Sequence, residues 1–232
     1  PNLQTYRKGA GEKLPDWGTL EKSIFGVDVS RQMMRIAMMN LVLHGLRHAS
    51  VKRANTLSEM GGLSEDDLTR KYTVILSNPP FAGVLPKESI RRDLSTTSKK
   101  SELLFLSVMM DSLAPGGRCA VVVPEGALFG STGAHVELRK KLVEDFDILA
   151  VISLPAGVFK PYAGVKTGVL IFRKPTSPKD KGRKERVWFF EVRNDGYDPD
   201  KITGGGRPET PDRNDLPELV KKWGVYKASN FK

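Results

Sequence analysis

Four consecutive residues, Asn78-Pro79-Pro80-Phe81, are the part of this sequence whose chemistry is most legible. A residue before proline is pushed toward extended geometry and each proline fixes its own φ, so the tetrapeptide is a stiff loop. It presents the Asn78 amide and outward carbonyls, lacks two backbone N–H donors, and ends on an aromatic ring. Such a loop suits a grip on a planar ring that carries an exocyclic amino group. The amino group would donate to the Asn78 side-chain oxygen and the Pro79 carbonyl while Phe81 stacks on the ring face. Two acceptors on one amino group draw its lone pair out of conjugation and aim it at an electrophile. Orientation and preorganised electrostatics then carry the rate, with no covalent step. The plainer alternative is a Pro-Pro turn closing a strand, with Phe81 as core filler.

The flanking pattern shows what must position this loop. Tyr72-Thr-Val-Ile-Leu76 is an apolar strand, stopped because tandem prolines cannot continue a ladder. Ser23-Ile-Phe-Gly-Val-Asp-Val29 suits a buried strand with Asp28 at its end. Ser30 can cap the helix that follows, in which Met33, Met34, Ala37, Met38, Leu41 and Val42 recur at helical spacing and are expected as core. Further along, the pattern predicts strands near 49–54, 119–123, 148–154, 167–172 and 187–192. Helices are expected over 101–113, ended by Pro115-Gly116-Gly117, and over 135–146. Residues 82–100 and 175–186 read as basic loops, and the tail from Asn194 as a segment rich in Gly, Pro and charge.

Strand and helix alternate, and the strands are near-continuous apolar runs. This predicts an α/β fold with a mostly parallel sheet buried on two faces. Ligands of such sheets lie beyond the carboxyl ends of the strands, which would set Asp28 and Asn78–Phe81 along one rim. The organisation expected is a polar N-terminal segment over 1–22, a catalytic domain over 23–175, and a basic linker, short strand and tail over 176–232.

Composition narrows the function classes. Among 232 residues, 37 Lys and Arg against 27 Asp and Glu give a net charge of +10, a field that attracts polyanions such as nucleic acid. The single cysteine, Cys119, excludes an intramolecular disulfide framework and a cysteine-rich zinc site, and three histidines leave little for another metal site. No apolar run approaches the roughly 18 residues of a membrane span, and no signal-peptide pattern opens the chain, so a soluble cytoplasmic protein is expected. The chain starts at Pro1 rather than Met, which suggests a trimmed or partial chain.

Tyr72-Thr-Val-Ile-Leu-Ser-Asn-Pro-Pro-Phe81 resembles the catalytic motif of amino-group methyltransferases that use S-adenosylmethionine, above all the adenine-N6 type. Four more stretches narrow the resemblance. They are Met38-Met-Asn-Leu-Val-Leu-His-Gly45, Leu113–Gly126 with its Ala-Pro-Gly-Gly turn, Ser153-Leu-Pro-Ala-Gly-Val-Phe159 continuing to Thr167, and Glu191-Val-Arg-Asn-Asp-Gly-Tyr197. In that order, from about Ile24 to Trp223, they resemble the modification subunit of type I restriction-modification systems.

The resemblance implies a Rossmann-like methyltransferase sheet with helices on both faces, and transfer of a methyl group to adenine N6 in DNA. It implies that Asn78, Pro79, Pro80 and Phe81 form the catalytic motif, and that Asp28 holds the ribose hydroxyls of S-adenosylmethionine. Asn55 stands where the family has an acid that reads the cofactor's adenine amino group. Phe81 and Phe159 would stack on the two faces of the target base. The implied partners are double-stranded DNA with a flipped adenine, a specificity subunit, a second modification subunit and a restriction subunit. Flipping is required because a paired, stacked amino group cannot be reached.

One family feature has no counterpart: a Gly-rich first motif after a strand ahead of Asp28. Gly9-Ala10-Gly11 lies in a polar stretch with no strand before it, and Gly204-Gly205-Gly206 reads as a tail turn. The resemblance therefore implies a C-terminal portion lacking its central first strand. Cys119 starts a strand rather than neighbouring a catalytic proline, so it reads as a structural thiol and not as the nucleophile of cytosine-C5 chemistry. The rival readings are an RNA or protein-glutamine methyltransferase sharing the motif, and a non-catalytic module that docks DNA or subunits.

Overall fold

The computed structural model describes residues 16–59, 61–81, 83–94, 96, 98–177, 186–203 and 206–229. Gly9-Ala10-Gly11, most of the basic hinge before Val187, and Gly204 and Gly205 lie outside them. The chain divides after Leu68 into two compact units.

The first unit contains α1 (Trp17–Lys22), β1 (Phe25–Asp28), α2 (Arg31–Leu43), β2 (Ser50–Arg53) and all but the last residue of α3 (Glu65–Thr69). β1 and β2 pair in parallel, with Phe25 opposite Ser50 and Asp28 opposite Arg53. Ser30 caps α2 as expected, its Oγ accepting from Met33 N at 3.3 Å. The methionine stripe is not core: no residue of α2 is buried, and Met39 is 65% exposed. The spacing defines an apolar face, but two strands of four residues offer too little surface to cover it. α1 forms within a stretch that reads as polar loop, because Glu21 is buried and its carboxylate accepts from Arg47 N at 3.2 Å. Long-range contacts of this kind leave no periodic signature.

The second unit contains β3 (Tyr72–Ser77), α4 (Ser101–Ser112), β4 (Leu113–Pro124), α5 (Glu125–Phe129), α6 (Gly133–Asp145), β5 (Asp147–Ser153), β6 (Thr167–Arg173), β7 (Trp188–Glu191), β8 (Asp195–Tyr197), β9 (Glu209–Asn214) and α7 (Leu216–Ala228). Its main sheet has five strands in the order β3-β4-β6-β5-β7. β3 is parallel to β4 and β5 to β7, whereas β6 is antiparallel to both its neighbours. The mostly parallel sheet expected is thus mixed at β6, which follows β5 with no crossover helix, and a strand that returns directly runs antiparallel.

α4 and α6 cover the sheet with a core that includes Leu103, Met110, Leu138, Val121 and Phe172, the last packed edge-on against Phe146 at 5.4 Å. α4 ends at Ser112, as expected, but Pro115-Gly116-Gly117 lies within the following strand rather than in a loop before it. The tripeptide is an irregularity inside β4, where Tyr72 pairs with Leu113 and Val74 with Arg118. A Cβ on Gly117 would lie 2.8 Å from the Tyr72 carbonyl oxygen, so only glycine permits this approach.

The C-terminal region is more ordered than its composition suggests. β8 and β9 form an antiparallel pair, and α7 lays Trp223 and Tyr226 against Trp188 at 5.6 and 5.9 Å. Asp215, ahead of α7, accepts from Arg193 N and Asn194 N, both at 2.8 Å, which ties the helix start to the exit of β7.

Candidate active site

β3 ends at Ser77 and delivers Asn78 at the carboxyl end of the five-stranded sheet. Pro79 is buried and anchors the loop, whereas Asn78 and Pro80 are exposed and Phe81 is half-buried. No hydrogen bond among the described residues engages the Asn78 amide. The Asn78 end of the motif is therefore exposed, while Phe81 is partly covered by its packing against Phe159. The loop beyond it is clasped at its base, where Ser101 N donates to Gly83 O and Leu85 N to Lys99 O, both at 2.9 Å. This fixes the far end of the motif to the start of α4.

Phe159 lies on the 154–166 loop between β5 and β6. Its carbonyl accepts from Tyr162 N and Ala163 N at 2.8 and 2.9 Å, so the loop is wound into consecutive turns. The ring lies 5.3 Å from that of Phe81 at an interplanar angle of 57°. This is within the range of about 4.5–7 Å for direct aromatic contact, so the two rings pack against each other.

Asp28 and Asn55 belong to the first unit and the Asn78–Phe81 motif with Phe159 to the second. Asp28 ends β1 half-buried, its Oδ1 accepting from Ser30 N at 2.7 Å and its carbonyl from Ala54 N at 3.1 Å. Oδ2 has no hydrogen-bond partner among the described residues. A carboxylate oriented through one oxygen with the other open fits a sugar hydroxyl donor.

Asn55 follows β2, with Oδ1 accepting from Leu57 N at 3.0 Å and its own N donating to Gly61 O at 2.8 Å. A Cβ on Gly61 would fall 1.9 Å from the Asn55 carbonyl oxygen, so this turn requires glycine. The turn fixes the Asn55 side chain and leaves its NH2 and one oxygen lone pair for a ligand.

Cys119 is 1% exposed, with its sulfur 3.9 Å from that of Met109, and burial pushes its thiol up to about 12. It is a core residue, as its place in the sequence suggests. Among the described residues no group of three His, Cys, Asp or Glu side chains could hold a metal ion.

The structure also reveals two residues that touch the Phe159 loop and that sequence reading did not single out. Lys160 Nζ donates to Pro199 O at 2.9 Å, and Arg207 Nη1 to Val158 O at 3.4 Å. Their partners are remote along the chain, and nothing in local pattern marks them.

The N-6 DNA Methylase family model matches residues 9–204. The methylase subunit of the type I restriction enzyme EcoEI from Escherichia coli is 35% identical over 179 residues, covering 76% of this chain and 34% of the relative. A chain solved in work on complex assembly and conformational transition of the type I restriction-modification system superposes with a TM-score of 0.78 at 30% identity, covering 98% of this chain and 44% of that one. A modification subunit of a type I restriction enzyme from Vibrio vulnificus YJ016 gives a TM-score of 0.69 at 26% identity, covering 94% and 44%. The chain spans about a third of the length of the curated relatives it matches.

Proposed function

The chain belongs to the N-6 DNA methylase family, and on that premise we propose that it carries the catalytic motif of a type I restriction-modification methylase subunit, which transfers a methyl group from S-adenosylmethionine to adenine N6 in DNA. The observation that carries this reading is the Asn78 amide, exposed and uncommitted at the end of β3, one stiff turn away from the Phe81–Phe159 ring pair.

S-adenosylmethionine, when bound, supplies a methyl group activated on a positively charged sulfur. Asp28 Oδ2 would accept from a ribose hydroxyl of the cofactor, and Asn55 would meet its adenine with the polar atoms the turn leaves open. At the target, Asn78 Oδ1 and the Pro79 carbonyl each accept one N–H of the adenine amino group. This turns the nitrogen lone pair out of the ring plane toward the electrophile. The loop is already rigid, so little reorganisation is needed at the moment of reaction. Phe81 and Phe159 replace the stacking the base loses on leaving the duplex, repaying part of the few kcal/mol that flipping costs.

The proposed partners are double-stranded DNA, attracted by the net charge of +10, a specificity subunit that reads the sequence, a second modification subunit and a restriction subunit. No helix among the described residues is long and apolar enough to cross a membrane.

The test is incubation of the full-length subunit, assembled with its specificity partner, with duplex DNA and methyl-labelled S-adenosylmethionine. Label recovered as N6-methyladenine is expected. Label in RNA or protein glutamine instead, or none at all, would overturn the reading in favour of a different substrate or a docking role.

A further inference from the structure

Arg207 makes an unusually complete set of contacts. Its guanidinium carries five N–H donors, and the structure gives each an acceptor. Nη1 and Nη2 reach the two carboxylate oxygens of Asp195 at 2.6 and 2.7 Å. Nε donates to Asp198 O at 3.0 Å and Nη2 to Tyr197 O at 2.9 Å. The last bond, from Nη1 to Val158 O at 3.4 Å, leaves the β8–β9 region and enters the loop that carries Phe159. Both side chains of the ion pair are withdrawn from solvent, 5% exposed for Arg207 and 10% for Asp195. Lys160, one residue past Phe159, makes the reciprocal link to Pro199 O. The two carbonyl contacts thus bracket Phe159, one on each side.

We propose that Arg207, saturated by Asp195 and three carbonyls, is a positioning residue that binds the β8–β9 hairpin to the 155–163 loop and so holds the Phe159 ring within reach of Phe81. The inference rests on the reading of Phe159 as a wall of the target-base site. The hairpin serves as a brace because its own position is fixed: Asp195 pairs with Asn214, and Asp215 grips Arg193 N and Asn194 N. Arginine is required by this geometry, since lysine offers three donors from one point and cannot meet both Asp195 oxygens and carbonyls on different sides. Lys160 adds a second tether without a buried charge.

The experiment uses the full-length subunit assembled with its specificity partner, as wild type, Arg207→Lys and Lys160→Met. Methylation kinetics are measured at saturating DNA and cofactor, together with hydrogen exchange over residues 155–163 and over α4. For Arg207→Lys, kcat should fall about tenfold or more, because a reacting geometry displaced by about 1 Å costs up to 10²-fold. The cofactor KM should stay within about twofold, and exchange should quicken in 155–163 while α4 remains protected. Lys160→Met should shift kcat and loop exchange the same way to a smaller extent. Wild-type kcat and wild-type loop protection in both variants would overturn the proposal. If Arg207→Lys loses protection in α4 as well, it has unfolded the unit, and Lys160→Met decides alone. A wild-type complex that transfers no methyl group sinks the parent reading instead, and the loop-exchange comparison still tests the brace.

Discussion

The ring of Phe159 lies 5.3 Å from the ring of Phe81, on a loop that shares no strand with the Asn78–Phe81 motif. The two aromatics are in direct contact, and in the proposed reaction a flipped base would lie between them. Replacing Phe159 with alanine should weaken capture of the base while leaving the amide clamp intact. The KM for DNA is expected to rise roughly tenfold, consistent with about 1–3 kcal/mol for stacking of one base on an aromatic ring, and kcat to fall at least as far as in Arg207→Lys because the base is no longer held in line, whereas cofactor affinity stays unchanged. Steady-state methylation with varied DNA checks this, and Phe159→Tyr should restore most of the loss.

Asn78→Ala removes one of two acceptors aimed at the amino group. By analogy with the loss of a preorganised polar contact at a developing charge, methyl transfer should fall about 10²-fold or more. Calorimetric titration with S-adenosylmethionine should give the same affinity for variant and wild type. Undiminished transfer by the variant would remove Asn78 from its assigned role.

Asp67 offers a prediction about pH. Lys52 Nζ donates to both its oxygens at 2.8 Å, Ser64 adds two further bonds, and together they lower the carboxyl to about 2. A carboxylate depressed in the folded state adds stability at pH values above its ordinary value of 3.8, and that contribution disappears as pH falls toward about 2. A carbon-detected NMR titration should place the Asp67 midpoint near 2, and Lys52→Met should return it toward 3.8.

β3 is the terminal strand of the five-stranded sheet among the described residues, and on one of its faces Leu76 and Val74 are exposed by 79% and 55%, whereas Ile75 packs on the core. An exposed apolar edge invites pairing with another chain. The chain studied alone should self-associate with rising concentration, and Leu76→Lys should reduce this, as measured by light scattering.

How much of this was legible before the structure depends on the range of the forces involved. The Asn78–Phe81 loop was readable because its stiffness is local stereochemistry of two prolines, and Ser30 because a cap acts over three residues. The apolar runs behind β3, β5 and β6 marked strands, but not that β6 runs against its neighbours, since direction depends on the length of the connection. The Met33–Val42 stripe gave the correct helix and the wrong environment: periodicity identifies an apolar face without saying what covers it. β8, β9 and α7 were hidden by a Gly- and Pro-rich composition, because they are held by the Asp195–Arg207 pair and by Trp188 against Trp223 and Tyr226.

Cys119 has a practical consequence. It is the chain's one sulfhydryl, sealed beside Met109 and scarcely ionised at neutral pH, so alkylating dyes will pass it by. A cysteine introduced in place of Tyr162, which is 95% exposed on the Phe159 loop, would then be labelled alone. A fluorophore there would report, in real time and without altering the native thiol, whether the loop moves when DNA and cofactor are added.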